Sequence, residues 1–436
     1  MEIIEEQIIR SEILIHDEKK FPRKPSLIPI PEDKFKIGYV FFFFMGVCHF
    51  MPMIFFATAN NFWMYKFRNP QFEVSDPTNR TSLQKYFASS SQIANTAPTL
   101  IFGIFNIVVA YKYAITSRIS ITLGIQTLTF LLFTVSCQID TDDFQGLFFG
   151  TVMLGYVFLS STMCVNLVGS MSLYSRFPFE YTICCLIGEG VSAIAGDLII
   201  ILCIAAFDGA IINSTFVYFM FGSALLLTTF LLSVFASRTE FFQHCLHSIP
   251  QETKKMPSKK ELLDVFGKIR NVIIIMSCFA IGMSVTHTAI TALVVSEQSN
   301  TVWANSYFSP VMTFFLSDFS LLLGRLISSF IPIKISEKVF LGLTIIRTVV
   351  LVPLIWLCNA QPRKNLPVIF GHDYQYGLIF FILSVTNGYI MNYCSLYIPQ
   401  KVDKKDADTA YTLFGLMMNL ITTITSPIGM FIVNVL

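Results

Sequence analysis

Eleven stretches of this chain are each long and apolar enough to cross a lipid bilayer, which takes about 20 consecutive, mostly apolar residues. They lie near 38–62, 89–112, 119–138, 146–169, 180–206, 212–236, 271–295, 305–331, 337–358, 376–398 and 409–435. In hydrocarbon every backbone N–H and C=O must find a partner inside the chain, and a helix provides one locally. The pattern predicts an all-α polytopic membrane protein with eleven transmembrane helices. Composition agrees, because only 13% of the residues are charged, about half the share of a soluble domain. A formal net charge of +2 gives no reason to expect a nucleic-acid partner.

Orientation follows from the basic residues, which concentrate on the cytosolic side. With the N-terminus inside, 22 of the 30 Lys and Arg residues fall in inside segments and 6 in outside loops. The other two, Arg325 and Arg347, lie within spans. An odd number of spans then puts the C-terminus outside. Residues 1–36 read as a cytosolic tail, since "MEIIEEQIIR" begins acidic and lacks the basic start and continuous apolar run of a signal peptide. The longest inside loop, 237–270, is polar and basic. It separates spans 1–6 (37–236) from spans 7–11 (271–436), so a 6+5 arrangement of two helical bundles is expected. The first outside loop carries Asn79-Arg80-Thr81, an N-glycosylation sequon.

The ten cysteines show no CxxC and no paired Cys/His spacing, so no metal site is expected, nor any cofactor. They read as small buried hydrophobes. Without HExxH or Gly-x-Ser-x-Gly, an enzyme is not expected, and eleven spans do not fit a seven-helix receptor.

Ionisable side chains inside a membrane cost several kcal/mol and face a bundle interior or a watery cavity. Here they are His49, Glu189, Asp197, His287, Asp318, Arg325 and Arg347. Each alone is as well read as a structural pair that fixes helix packing. As a set they point to a lined cavity. Asp318 and Arg325 are seven residues apart, which turns a helix by about 700° and places both on one face about 10 Å apart. A third residue, water or a substrate fits between them. Glu189 lies in "CCLIGEGVSAIAGD", whose small residues allow close helix contact. Pro52 and Pro98 fall inside spans, where proline frees a carbonyl one turn earlier and can kink the helix. Such breaks are common at transporter binding sites.

Several stretches together resemble the equilibrative nucleoside transporter family. "PEDKFKIGYVFFFFMGVCHFMPMIFFATANNFW" (31–63) is similar to its opening helix, "SRFPFEYTICCLIGEGVSAIAGD" (175–197) to its fifth and "SYFSPVMTFFLSDFSLLLGR" (306–325) to its eighth. "RTVVLVPLIWLCN" (347–359), "VIFGHD" (368–373), "TNGYI" (386–390) and "IPQKVDKKDADTAYT" (398–412) follow in the family's order. The resemblance implies a major-facilitator-like fold of six helices then five. It implies facilitative movement of nucleosides or nucleobases by alternating access, with substrate between the bundles. A plasma-membrane location is expected.

Carried over position by position, Gly324-Arg325 matches the family's helix-8 Gly-Arg, and Pro52 matches in helix 1. The departures are Asp318 where the family has Asn, Leu321 where it has Asp, Met53 and Ile54 where it has Trp and Asn, Glu189 for Gln, and Val168 for Gln. The resemblance thus implies a substrate site of Arg325, Asp318, Met53, Pro52, Glu189, Asn387 and Arg347. The extra acids Glu189 and Asp318, with His49 and His287, leave a second reading open: proton coupling, or a cationic solute.

Overall fold

The structure, a computed structural model, describes residues 31–71, 79–109, 113–174, 176–247, 258–286, 290–330, 336–403 and 406–436. His287 and most of the N-terminal tail lie outside them. The first half contains helices α1 (Ile37–Thr58), α2 (Asn60–Lys66), α3 (Ser82–Val109), α4 (Ile115–Ser136), α5 (Gln145–Tyr174), α6 (Phe179–Ala206) and α7 (Ile211–Ala236). The expected inside linker holds a short helix, α8 (Glu240–His247), and the start of α9 (Lys259–Thr286). Two π-helical turns, Trp303–Tyr307 and Ser309–Phe315, lead into α10 (Leu316–Phe330). Then come α11 (Glu337–Trp356), α12 (Asp373–Lys401) and α13 (Ala407–Val435).

Among the described residues, ten helical segments have the length and composition to cross a membrane. The eleventh expected span is α3. It is 28 residues long and carries the polar run "SSSQIANTAPT" in its middle. Hydroxyls in these helices are satisfied locally. Thr96 donates to the Gln92 carbonyl at 3.0 Å, Ser170 to Asn166 at 2.9 Å and Thr229 to Leu225 at 2.8 Å. A side chain bonded one turn back hides its polarity from lipid.

Helices α1–α7 pack around one core dense in aromatic rings. Phe55 stacks on Tyr218 at 4.2 Å and Phe56 on Tyr156 at 4.0 Å. Helices α9–α13 enclose two separate, smaller clusters, one around Ile269, Cys394 and Ile398, the other around Ile355, Tyr376 and Phe380. Each bundle has one very close helix crossing. Where α1 meets α6, a Cβ at Gly46 would overlap the Cys185 carbonyl, and one at Gly188 the Phe43 carbonyl. Where α10 meets α12, Gly324 and Gly388 stand in the same relation to the carbonyls of Val385 and Leu321. The two bundles meet along α3 against α13, and along α6 against the π turns and α10.

Helix α1 continues through Pro52 and α3 through Pro98. The helical irregularity lies instead at 303–315, around Pro310. Pro310 lacks the N–H that would close a regular turn, and π-type turns in membrane helices often mark functional sites.

Candidate functional site between the bundles

Helix α6 contributes Glu189 and Asp197 to the seam, and α10 contributes Asp318 and Arg325. The close α1–α6 crossing brings His49 onto Glu189: Nδ1 lies 2.6 Å from Glu189 Oε1, and Nε2 lies 2.7 Å from Ser170 Oγ on α5. The His49 side chain is fully buried, whereas that of Glu189 is 21% exposed.

Arg325 is solvent-exposed although it sits within a long apolar helix. Its guanidinium interacts electrostatically with Asp318 on its own helix and with Glu189 on α6. Its exposed side chain thus feels acids from both bundles. Its Nη2 lies 3.9 Å from Met391 Sδ, and its backbone carbonyl accepts from Asn392 at 3.2 Å. Asp318 is half-buried and Asp197 fully buried. The two acids interact electrostatically across the seam. Thr58 Oγ1 lies 2.8 Å from the Ile54 carbonyl and 3.1 Å from Asp197 Oδ1, donating to both acceptors.

Of the residues singled out from the sequence, Arg325 thus lies in the field of both Asp318 and Glu189. Pro52 is buried, and half-buried Met53 faces α3, where Asn95 Nδ2 lies 3.5 Å from its sulfur. Arg347 and Asn387 belong elsewhere. The Arg347 guanidinium donates to Asn387 Oδ1 at 2.7 Å, to the Leu383 carbonyl at 2.5 Å and to Thr386 Oγ1 at 2.9 Å. These contacts join α11 to α12 inside the second bundle, and they read as packing rather than as part of the seam cluster. Sequence reasoning missed Ser170 and Thr58 as partners, and no spacing signal links them to α6.

At the end where α1 finishes, the seam is tied shut. Asn60 Nδ2 donates to the Ala292 carbonyl at 3.3 Å, Asn61 Nδ2 to Ser306 at 3.0 Å and Arg80 Nη2 to Leu293 at 3.4 Å. Tyr86 on α3 meets Asn434 on α13 at 2.5 Å. Burial pushes the Arg80 guanidinium down to about 10. A cavity of about 20 Å³ lies just below, lined by Thr58, Asn61, Ile200, Ser214, Ser306 and Pro310, room for one water. At the opposite end the polar pairs Tyr39–Glu180 (2.8 Å), Tyr181–Asp33 (2.9 Å) and Lys401–Glu337 (2.9 Å) each stay within one bundle. The Glu337 carboxylate holds Lys401 above its usual value.

The donor atoms of His49, Cys185 and Glu189 lie within 4.8 Å of one another, a spacing that could hold a metal ion. Both His49 nitrogens are already engaged by Glu189 and Ser170, so hydrogen bonding accounts for the arrangement.

Residues 248–425 match the family model described as "Nucleoside transporter". Equilibrative nucleoside transporter 3 of Rattus norvegicus is 24% identical over 416 residues, which is 89% of this chain and 87% of that protein. Equilibrative nucleoside transporter 1 of Homo sapiens is 23% identical over 440 residues, 89% of this chain and 95% of that one. Over about nine-tenths of its length the chain is thus similar to equilibrative nucleoside transporters. Its fold is shared with the crystal structure of nucleoside transporter NupG. The TM-score is 0.54 at 13% identity, over 90% of this chain and 89% of that one.

Proposed function

We propose that this protein carries nucleosides or nucleobases across a membrane by facilitative alternating access. Its eleven spans form a major-facilitator-like 6+5 pair of bundles, with the N-terminus cytosolic and the C-terminus outside. The supporting observation is the Glu189–Arg325–Asp318 cluster, which draws on both bundles and borders the space between them. Charge is retained inside a membrane where it lines a solute path. The tied end of the seam is then extracellular, and the described conformation opens toward the cytosol. Arg325 donates hydrogen bonds to hydroxyl or base oxygens of the solute. Asp318 accepts from a hydroxyl or base N–H, and Met53 packs against the flat ring. Exposed Asn79 becomes an extracellular glycosylation site, and the plasma membrane the location.

The test is uptake of labelled purine nucleoside, pyrimidine nucleoside and nucleobase in transporter-deficient cells. Uptake of at least one class above the empty-vector control is expected. Arg325→Ala should cut it about tenfold or more at tracer solute concentration while surface expression persists. Normal transport by Arg325→Ala would show that the seam cluster is not the solute site.

A further inference from the structure

Arg347 puts a charge in the middle of α11, flanked by the exposed apolar residues Ile346 and Val349. Charge at such a depth is costly. Among the described residues no carboxylate pairs with it. Its acceptors are all neutral and all lie within about one turn of α12. Nε donates to Thr386 Oγ1 at 2.9 Å, and Nη2 donates to the Leu383 carbonyl at 2.5 Å and to Asn387 Oδ1 at 2.7 Å. A guanidinium carries its N–H groups in a rigid planar fork. A grip on three acceptors therefore fixes the rotation of α12 as well as its distance. Buried Asn387 braces the same face from α9, its Nδ2 lying 3.1 Å from Met283 Sδ. At 100° per residue, Leu383, Thr386 and Asn387 share one face of α12, and Val385, Gly388, Tyr389 and Asn392 lie about 180° away. That second face meets α10. Gly388 closes on the Leu321 carbonyl, and a Cβ there would stand 3.1 Å from the backbone nitrogen of Arg325. Asn392 Nδ2 donates to the Arg325 carbonyl at 3.2 Å. The crossing leaves no slack, so a turn of α12 carries the backbone of Arg325 with it.

We propose that Arg347 is a positioning residue: by gripping α12 from behind, it sets through the α10–α12 crossing where the Arg325 guanidinium stands on the seam. The proposal rests on the reading of Arg325 as a solute contact and names what holds that contact in place. Arg347 itself touches no solute. Its loss acts through geometry, and a misplacement of about 1 Å can cost as much as about 100-fold at a site built on oriented groups.

The experiment uses full-length protein in proteoliposomes, with labelled nucleoside uptake measured over a range of solute concentrations. Arg347→Gln removes the fork, and Arg347→Lys keeps a charge but not the three-point grip. The solute KM should rise about tenfold in Arg347→Gln and about threefold in Arg347→Lys. In an Arg325→Ala background the group to be positioned is gone, so adding Arg347→Gln should raise KM by less than about twofold. An equal rise in both backgrounds would overturn the proposal. So would an unchanged KM with only less protein in the membrane, which is what packing alone predicts. A second readout needs no transport. Phenylglyoxal labels arginines selectively, and its rate at Arg325 is read by peptide mass spectrometry on purified protein. That rate should change by at least about threefold in Arg347→Gln or, if that variant does not fold, in Arg347→Lys. Equal labelling rates would sink the idea, whatever uptake shows. Absence of uptake by the wild type would count against the transport reading instead, and labelling would still decide whether Arg347 positions Arg325.

Discussion

The two glycine crossings look alike as backbone and differ in what they present. At Gly46 and Gly188 the approach of α1 to α6 closes a circuit: His49 is buried and tied at both ring nitrogens to Glu189 and Ser170. At Gly324 and Gly388 the approach of α10 to α12 leaves the next residue, Arg325, exposed on the seam. The first crossing orients an acid from behind. The second holds a cation out in front. Close packing of the same kind serves as a bracket in one bundle and a pedestal in the other.

That contrast can be broken at four levels. The largest effect is expected from Gly46→Val or Gly324→Val, since each added side chain must push into a neighbouring backbone carbonyl rather than a flexible side-chain tip. Overpacking costs about 1–3 kcal/mol or more, and both variants should lose surface expression as read by surface biotinylation. If Gly324→Val reaches the surface normally, the α10–α12 approach is looser than described. Next comes Arg325→Ala. Loss of charge-assisted hydrogen bonds worth about 1.5–3 kcal/mol should raise the solute KM by roughly 10- to 100-fold at unchanged surface level. His49→Ala should act mainly on stability. It strips Glu189 of its partner and should lower the melting temperature of purified protein, by about 1–3 kcal/mol of stability. A variant that melts normally yet transports nothing would move His49 into the solute path. Asn61→Ala should have the smallest effect. It removes two exchangeable hydrogen bonds, to the Asn305 and Ser306 carbonyls, together worth about 1 kcal/mol, and should shift KM by less than about fivefold.

The spans were legible because hydrocarbon solvent demands long apolar runs, whatever their neighbours. Helix α3 is the instructive case: it packs on α5 and α13 and carries a polar run through its middle, yet the helix persists. Within one helix, the seven-residue spacing of Asp318 and Arg325 correctly placed both on a shared face. Pairings between helices were not legible. Arg347 and Asn387 are 40 residues apart and looked like site residues until their mutual hydrogen bond was visible. Asp197 stood in the sequence as one more in-span acid, and nothing in its own helix announces Asp318. Proline was read as a kink at Pro52 and Pro98. Pro310, just inside the second π turn, carried the same signal at the place where the helix departs from regularity.

The hydroxyls of α3 and α13 have a mechanical consequence. Ser91, Thr96 and Thr99 on one helix, and Thr422, Thr423, Thr425 and Ser426 on the other, each donate to a carbonyl of their own helix. Polar groups satisfied at home impose no register on the facing surface. Two such helices can slip past each other as greased rails do, without severing those bonds, and the Tyr86–Asn434 contact at their end then works as a latch on a sliding door.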